Sequence, residues 1–600
     1  MIKTSLIIFL ILLGFLGPQG QILPVETYII ILLLAGSSLI FYTLCMVKWK
    51  YFEGDGFKFT SLSTLFLLFL FWSALGYFYS ADPERSVLIS IQSLSAILLY
   101  LGLSCHIQEN HQITTILKFV LSFLGIIAIV GIAQNFNFSI LENSPTTEFF
   151  HRIYGFSHNS ESNHITSLFI HKNIFSGYLV FFIPIPCLVY LLNWSKLWNL
   201  IAAVILVLSF IALGLSESRG GQLIGILQVI VVIGYLLFNK DSKGYVRIIL
   251  GSLALLFIYI TITLTIDGTK EDGQASIANW IANLEFLSTH QSFKRILFWQ
   301  GAWEIIKDHW LIGSGPLSFN LLFPKYFLYV TPLINNQILT TSPPHAHNII
   351  IQIAADSGLI GIGLLLSFLV VFYRRAYKIY TKSILKIRTT VFFITLAVTS
   401  FLLHSMIEYN WPGSMFIYNF TIFIFIINFI GRNHITEREA GPSSNNFYVV
   451  PIVGVLAIFL SIKFSVQYYQ FTNVTSENFF KITKLNESQS RASQAKKICP
   501  RCDSPYIKLG SNMLLRYKKN NDDKLLVLAK KELLEGQKLN PYNPHYMGYL
   551  AQIFAIQGEY SRAQILLKEA LKFNRTHSIG KLGLSMEQLR KIDQASSYGK

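Results

Sequence analysis

Four polar groups interrupt an otherwise apolar sequence, and together they hold the residue types from which active sites are built. The first joins Arg152-Ile-Tyr-Gly155 to His171-Lys172-Asn173, and the second is Ser216-Glu-Ser-Arg219-Gly-Gly221. The third runs from Arg295 through Trp299 to Gly313-Ser-Gly315-Pro316. The fourth is Pro343-Pro-His345-Ala-His347-Asn348, followed by Asp356-Ser-Gly358-Leu-Ile-Gly361. Ionisable residues at the edges of apolar segments are costly to desolvate without a purpose or a partner, which makes them functional candidates. Arginine carries a planar fork that grips two oxygens of a carboxylate or phosphate at once. Histidine is the side chain that takes and gives a proton near neutrality. His345 and His347 could begin a zinc site, but zinc needs three or four protein ligands and the sequence shows no third, so no metal is assigned.

Composition decides what must carry these groups. Of 600 residues, 52% are hydrophobic and 14% charged, and the mean hydropathy is +0.47. That is too little polar surface for an ordinary soluble protein. The apolar residues come in blocks of about twenty, enough to cross a hydrocarbon core of about 30 Å as helix. Backbone groups inside lipid must find internal partners, so each block reads as a helix, and the alternation of about ten residues expected of a barrel strand is absent. The expectation is an all-α, polytopic membrane protein of about 12–13 transmembrane helices. Their spans are 5–17, 25–47, 60–79, 86–105, 113–134, 168–192, 197–216, 220–238, 246–266, 348–373, 389–407, 413–430 and 448–466. The first is short enough to be a signal peptide, with Lys3 as its positive start.

Charge placement orients the bundle. Lys48, Lys50 and Lys58 follow the second span, and Lys240, Lys243 and Arg247 the eighth. Arg374, Arg375, Lys378, Lys382, Lys386 and Arg388 follow the tenth. Short basic loops stay in the cytoplasm, and all three clusters agree on a cytoplasmic N-terminus. The loops 135–167 and 267–347 and everything after residue 466 are then extracytoplasmic, which puts the four polar groups on one side. The net charge of +17 is partly this topology signal and partly a basic C-terminal domain, and it does not point to nucleic acid.

The chain divides at residue 466 into a membrane domain, 1–466, and a soluble helical domain, 467–600. Within 544–577, Leu550, Ala551, Phe554, Gly558, Tyr560, Ala563, Leu567 and Ala570 have tetratricopeptide spacing. Ala529, Leu533, Gly536 and Pro541 match the second half of an earlier unit, and a capping helix is expected near 583–595. Such a module either docks a partner or glycan, or packs to steady the membrane domain. Cys499 and Cys502 form a lone C-x-x-C on the side assigned as oxidising, read as a local disulfide with a redox-active pair as the alternative. Cys45, Cys105 and Cys187 read as small buried side chains.

The order of the four polar groups resembles the O-antigen ligase and polymerase family of bacterial membrane glycosyltransferases, over roughly residues 60–430. His347-Asn348, seven residues, then Asp356-x-Gly358-x-x-Gly361 looks like that family's most specific signature, with Asp356 where members usually carry Glu. Arg219 before two glycines is similar to the family's outward Arg between adjacent spans. Arg295, Trp299 and Gly313-x-Gly315 resemble the stretch through its large periplasmic loop. The resemblance implies a glycan donor on a polyprenyl (undecaprenyl) pyrophosphate, an acceptor hydroxyl, and reaction at the outer face of the bacterial inner membrane. It assigns His347 as general base, and Arg219 and Arg295 to the leaving pyrophosphate. Arg152, Lys172, Asn173, His345, Asn348 and Trp299 are assigned to substrate binding. Neither cofactor nor metal is expected, and a single displacement implies inversion at the anomeric carbon.

Plainer readings stand beside these. Arg219 could be a snorkelling anchor, His347 a helix cap, Gly313 and Gly315 turn residues, and Trp299, Trp303, Trp310 and Tyr326 either an interfacial belt or sugar-stacking rings. A glycan transporter would need polar groups near the midplane, whereas these cluster at one face. A scaffold needs no Arg–His constellation. Lipid A-core, a glycan repeat or a protein remain open as acceptor, the last making the chain a protein O-oligosaccharyltransferase.

Overall fold

The structure, a computed structural model, describes residues 2–16, 24–49, 59–135, 165–169, 171–238, 290–330, 343–434, 446–475 and 485–573. Among these all regular structure is helical. The helices are α1 Ile2–Leu16, α2 Pro24–Trp49, α3 Ser61–Tyr79, α4 Pro83–His106, α5 Asn110–Asn135, α6 Lys172–Phe182, α7 Pro184–Leu192, α8 Lys196–Leu215, α9 Arg219–Phe238 and α10 His290–Asp308. They continue as α11 Phe319–Val330, α12 Ile349–Lys382, α13 Leu385–Ser405, α14 Ser414–His434, α15 Asn446–Thr475, α16 Leu485–Ile498, α17 Ser504–Asn520, α18 Asp523–Leu539, α19 Pro544–Ile556 and α20 Tyr560–Phe573.

Among the described residues, ten helical stretches are long and apolar enough to cross a membrane, and two shorter apolar ones cover Ile2–Gly14 and Ile31–Val47. Together they account for every span read from the sequence except 246–266, which lies outside the described residues. The protein is a multi-pass membrane protein. Two spans differ in detail. The sixth begins at Lys172 and breaks into α6 and α7 at Ile183, because Pro184 and Pro186 lack the N–H that would continue the ladder. The tenth runs on to Lys382 and is kinked at Gly358, which sits at φ 62° inside the helix. Its 34 residues would extend about 51 Å if straight, against a hydrocarbon core of about 30 Å, so part of α12 stands outside the lipid.

Helices α4 and α14 fill the centre of the bundle, packed against α2, α3, α12 and α15. Lipid offers no hydrophobic reward for helix association, so close packing and buried hydrogen bonds must supply it. Ser90 donates to Ala74 O, and Thr60 and Tyr100 bracket Asn428 at 2.7 and 2.8 Å. A side chain at Gly102 would strike the Phe41 ring at 2.8 Å, so that glycine sets the distance between α2 and α4.

Beyond α15, α17 packs on α18 and α19 on α20 as two helical hairpins. Ala529, Leu533, Leu550, Ala551, Ala563, Leu567 and Ala570 are buried in them, whereas Phe554 and Tyr560 of the same spacing are half-buried and Pro541 and Gly558 exposed. The expected cap near 583–595 lies outside the described residues. Cys499 and Cys502 are joined as a disulfide; Cys45, Cys105 and Cys187 are free, Cys45 buried and the other two partly so. Arg501, between the bonded cysteines, donates to Tyr77 O at 2.8 Å and Ser80 O at 3.3 Å. The loop between α16 and α17 is thereby fastened to the corner between α3 and α4.

Candidate active site

Glu408, in the turn between α13 and α14, is 5% exposed and is the hub of the site. His347 Nδ1 lies 2.9 Å from its Oε1, an ion-pair contact short of an aligned hydrogen bond. His345 Nε2 lies 3.5 Å from the same oxygen, and Asn173 Nδ2 donates to Oε2 at 3.0 Å. The turn before α12 holds the two histidines in register. His347 adopts φ 52°, a left-handed conformation unusual for a residue with a Cβ, and its neighbours fix it there. Trp299 Nε1 donates to Ala346 O at 2.9 Å, and Ala346 N donates to Gln352 Oε1 at 2.6 Å. Asn348 accepts from Ile350 N and Ile351 N and donates to Met406 O, capping α12 and tying it to α13. The His347 ring stacks on Phe298 at 5.7 Å.

Electrostatics follow from burial and these partners. Burial alone would raise the Glu408 carboxyl, but the contact and charge of His347, with His345 and Asn173, hold it far below the usual carboxylate range. Burial pulls His345 down to about 4 despite the neighbouring carboxylate. Desolvation also lowers His171 and Arg295, each opposed by the charge of Glu408. Glu408 is thus a buried carboxylate faced by His347, a neutral His345, and the Arg295 guanidinium.

The structure gathers most of the residues assigned from sequence. Arg295 lies on α10 one turn before Trp299 and within electrostatic reach of Glu408, His345 and His171. Lys172 opens α6, its Nζ 4.0 Å from Glu217. Arg219, the exposed first residue of α9, follows Ser218, whose Oγ donates to Asn173 Oδ1 at 3.0 Å. Asn348 and Asn173 spend their amides on protein partners. Arg152 lies outside the described residues.

Sequence reasoning missed Glu408. Its signal was available, because it is the sole acid between Thr389 and Ile430. Glu408 also completes the third position that a metal at His345 and His347 had lacked, with candidate ligand atoms within 4.8 Å of one another. The tautomers favour hydrogen bonding instead. His347 N donates to His345 Nδ1 at 3.3 Å, so the His345 proton sits on Nε2, facing Glu408, and offers no lone pair there.

The glycines of the signature do a different job. Ser314 N and Gly315 N donate to Ala355 O and Asp356 O, while Leu359 N and Ile360 N donate to Trp310 O and Leu311 O. This backbone clasp requires bare Cα atoms. A Cβ at Gly313 would fall 2.3 Å from the Asp356 backbone, and one at Gly358 2.4 Å from Leu311 C. Both glycines also have positive φ, 81° and 62°.

No curated protein matches the chain. Residues 204–366 match the family model described as O-antigen ligase, a stretch that includes Arg219, Arg295, both histidines and the glycine clasp. Through that segment this multi-pass membrane protein is similar to the O-antigen ligase family, a likeness that supports a role in glycosyl transfer within the membrane.

Proposed function

We propose that the protein transfers a glycan from a polyprenyl (undecaprenyl) pyrophosphate to an acceptor hydroxyl at the outer face of the bacterial cytoplasmic membrane, as an O-antigen ligase or polysaccharide polymerase. The observation that carries this reading is the His347–Glu408 pair beside Arg295. Its Nδ1 faces Glu408 at 2.9 Å, and a His347 that carries its proton on Nδ1 keeps its lone pair on Nε2, the arrangement of a histidine base oriented by a carboxylate. The acceptor O–H gives its proton to Nε2, and the acceptor oxygen bonds to the anomeric carbon. The carbon–oxygen bond to the carrier breaks, and its electron pair leaves on the pyrophosphate. Glu408 balances the imidazolium, while Arg219 and Arg295, with Lys172, take the phosphate oxygens. Displacement in one step inverts the anomeric centre and assigns no task to a metal.

Sidedness supports the reading. Hydrogen bonds link the turn after α3 to the 313–318 loop, Asn173 to Glu408, and Asn348 to Met406, so these turns share one end of the bundle. The basic run Arg374 to Arg388 occupies the far end of α12 and the start of α13. By the positive-inside bias that end is cytoplasmic, and the site then faces outward with α16–α20, the tetratricopeptide-like unit that would receive the acceptor.

Purified protein in lipid, given a polyprenyl-pyrophosphate glycan and a defined acceptor, provides the assay, with binding and turnover measured separately. Arg219→Lys and Arg295→Lys keep the charge and lose the fork, and each is expected to slow transfer by about 3–4 kcal/mol of transition-state stabilisation. A chelator is expected to leave the rate unchanged. Strict dependence on a divalent ion would remove the metal-free mechanism, and unchanged turnover in both arginine variants would remove the pyrophosphate assignment.

A further inference from the structure

Behind Glu408, away from the two histidines, a second set of polar side chains is buried between α6, α9 and α13. Ser176 is 0%, His404 1%, Ser218 2% and Asn410 0% exposed. We propose that Asn410, His404, Ser176, Ser218 and Asn173 form one directed chain of hydrogen bonds that ends on Glu408 and holds its carboxylate ionised, making Asn173 and His404 positioning residues for His347.

The direction follows from counting protons. Glu408 Oε2 accepts from Asn173 Nδ2, so Asn173 turns Oδ1 toward Ser218, whose Oγ donates to it at 3.0 Å. That spends the only proton of Ser218. The 2.8 Å contact between Ser176 Oγ and Ser218 Oγ must therefore carry the Ser176 proton. Ser176 also lies 2.9 Å from Asn173 O in its own helix, but donating there would leave the Ser218 oxygen without that proton. With its proton spent, Ser176 can only accept across the 3.3 Å contact from His404 Nε2. His404 then carries its proton on Nε2, and its Nδ1 accepts from Asn410 Nδ2 at 3.1 Å. Every link points its hydrogen toward Glu408.

Packing supports the chain. A Cβ at Gly177 would come within 2.4 Å of Asn410 Nδ2 and 2.9 Å of His404 Nδ1, and one at Gly221 within 2.5 Å of Ser176 Cβ. Two glycines thus let α6, α9 and α13 approach closely enough for the links to form. In such a dry environment aligned hydrogen bonds polarise one another, and donors aimed at a carboxylate favour its charged form. The titratable and charged groups facing Glu408 are His345 and His347 before α12, His171 before α6, Arg295 on α10 and His404 on α13. Losing a donor to the carboxylate makes the Glu408–His347 pair hold its proton more tightly. The acid limb of the kcat profile then moves to higher pH.

The experiment uses the full chain in lipid with Asn173→Leu, His404→Leu and His404→Gln. Asn173→Leu is expected to lower kcat by roughly tenfold to a hundredfold, the worth of a hydrogen bond to a charged group, with donor binding retained and the acid limb shifted upward. His404→Leu is expected to follow with a smaller loss, and His404→Gln, which keeps an N–H for Ser176, to recover part of it. A fall in thermal stability with an unmoved acid limb would reduce the chain to ordinary packing and overturn the proposal. The kinetic arm rests on the transfer reading above, whereas a second arm does not. Infrared titration follows the protonated-carboxyl band that Glu408→Gln abolishes. It should appear at higher pH in Asn173→Leu and His404→Leu than in the native chain, and appearance at the same pH overturns the inference even if no glycan is transferred.

Discussion

The two halves of the motif His347-Asn348 to Asp356-x-Gly358 lie nine residues apart on one continuous stretch, and they do unlike work. At the first half, side chains converge: two imidazoles meet the oxygen of Glu408, a residue from another part of the chain. At the second, the side chains are nearly irrelevant and backbones meet, with Gly313 and Gly358 clearing room for the carbonyls and amides of their partners. A recurring sequence string therefore does not separate chemistry from scaffold. What separates them is whether the neighbouring strand of chain is contacted through side-chain atoms or through main-chain atoms.

The sharpest break between the halves should come from the side-chain end. His347→Ala and Glu408→Gln are each expected to cut turnover by roughly a hundredfold or more, the usual range for a positioned base and its orienter. Donor binding and the thermal midpoint should stay near those of the native chain, and full turnover in His347→Ala would dismiss it as the base. The backbone half should answer differently. Gly358→Ala adds a Cβ 2.4 Å from Leu311 C at φ 62°, and is expected to cost about 2–4 kcal/mol of stability through strain and overpacking. Unfolding in lipid measures this, and an unchanged midpoint would mean that the clasp is not needed.

Acid sharpens the same contrast. His345 falls from 6.5 to about 4 on folding, so between those values the unfolded chain binds a proton that the folded chain refuses. Stability contributed by the histidine corner is therefore present above 6.5 and is lost as pH falls toward 4. Hydrogen exchange, corrected for its intrinsic pH dependence, should loosen at Ala346–Asn348 through that window while Ser314 and Gly315 stay protected. His345→Gln should abolish the difference, and parallel loosening of both segments would assign the acid effect to the whole fold. The smallest effect is expected at Asp356→Asn. The new amide oxygen can still accept from Gln352 Nε2, as Asp356 Oδ1 now does at 2.8 Å. Transfer should stay within about threefold if Asp356 only supports the turn, since exposed or replaceable polar contacts are worth about 1 kcal/mol or less, and a hundredfold loss would move it into the chemistry.

Much of the architecture was legible because lipid imposes a simple rule. Apolar blocks such as 86–105 and 413–430 had to be helices, and they became the buried centre of the bundle. His347, Arg295 and Lys172 were singled out because charge at the end of such a block stands out. Glu408 and His404 escaped for the opposite reason. Each is a single polar residue amid apolar ones, and its meaning comes from Asn173, Ser176 and Ser218, more than 180 residues earlier. The kink at Gly358 was equally hidden, since its cause is the close approach of Leu311 and not any local signal. Spacing along a helix reports which face a residue occupies, but it does not report which distant segment that face will meet.

Arg501 has a mechanical consequence. It binds carbonyls at the end of α3, Ala81 N in the same corner donates to Ser314 O, and Ser314 N donates to Ala355 O in α12. Lys508 Nζ adds a bond to Thr475 O at the tip of α15. Helices α16–α20 therefore do not hang from the bundle as a pendant on a string; Arg501, Lys508 and the bond from Gln467 to Ile498 O bolt them to its rim. A load applied to them is delivered along a short lever into the segment that begins at His347, so whatever grips the far hairpins also leans on the base.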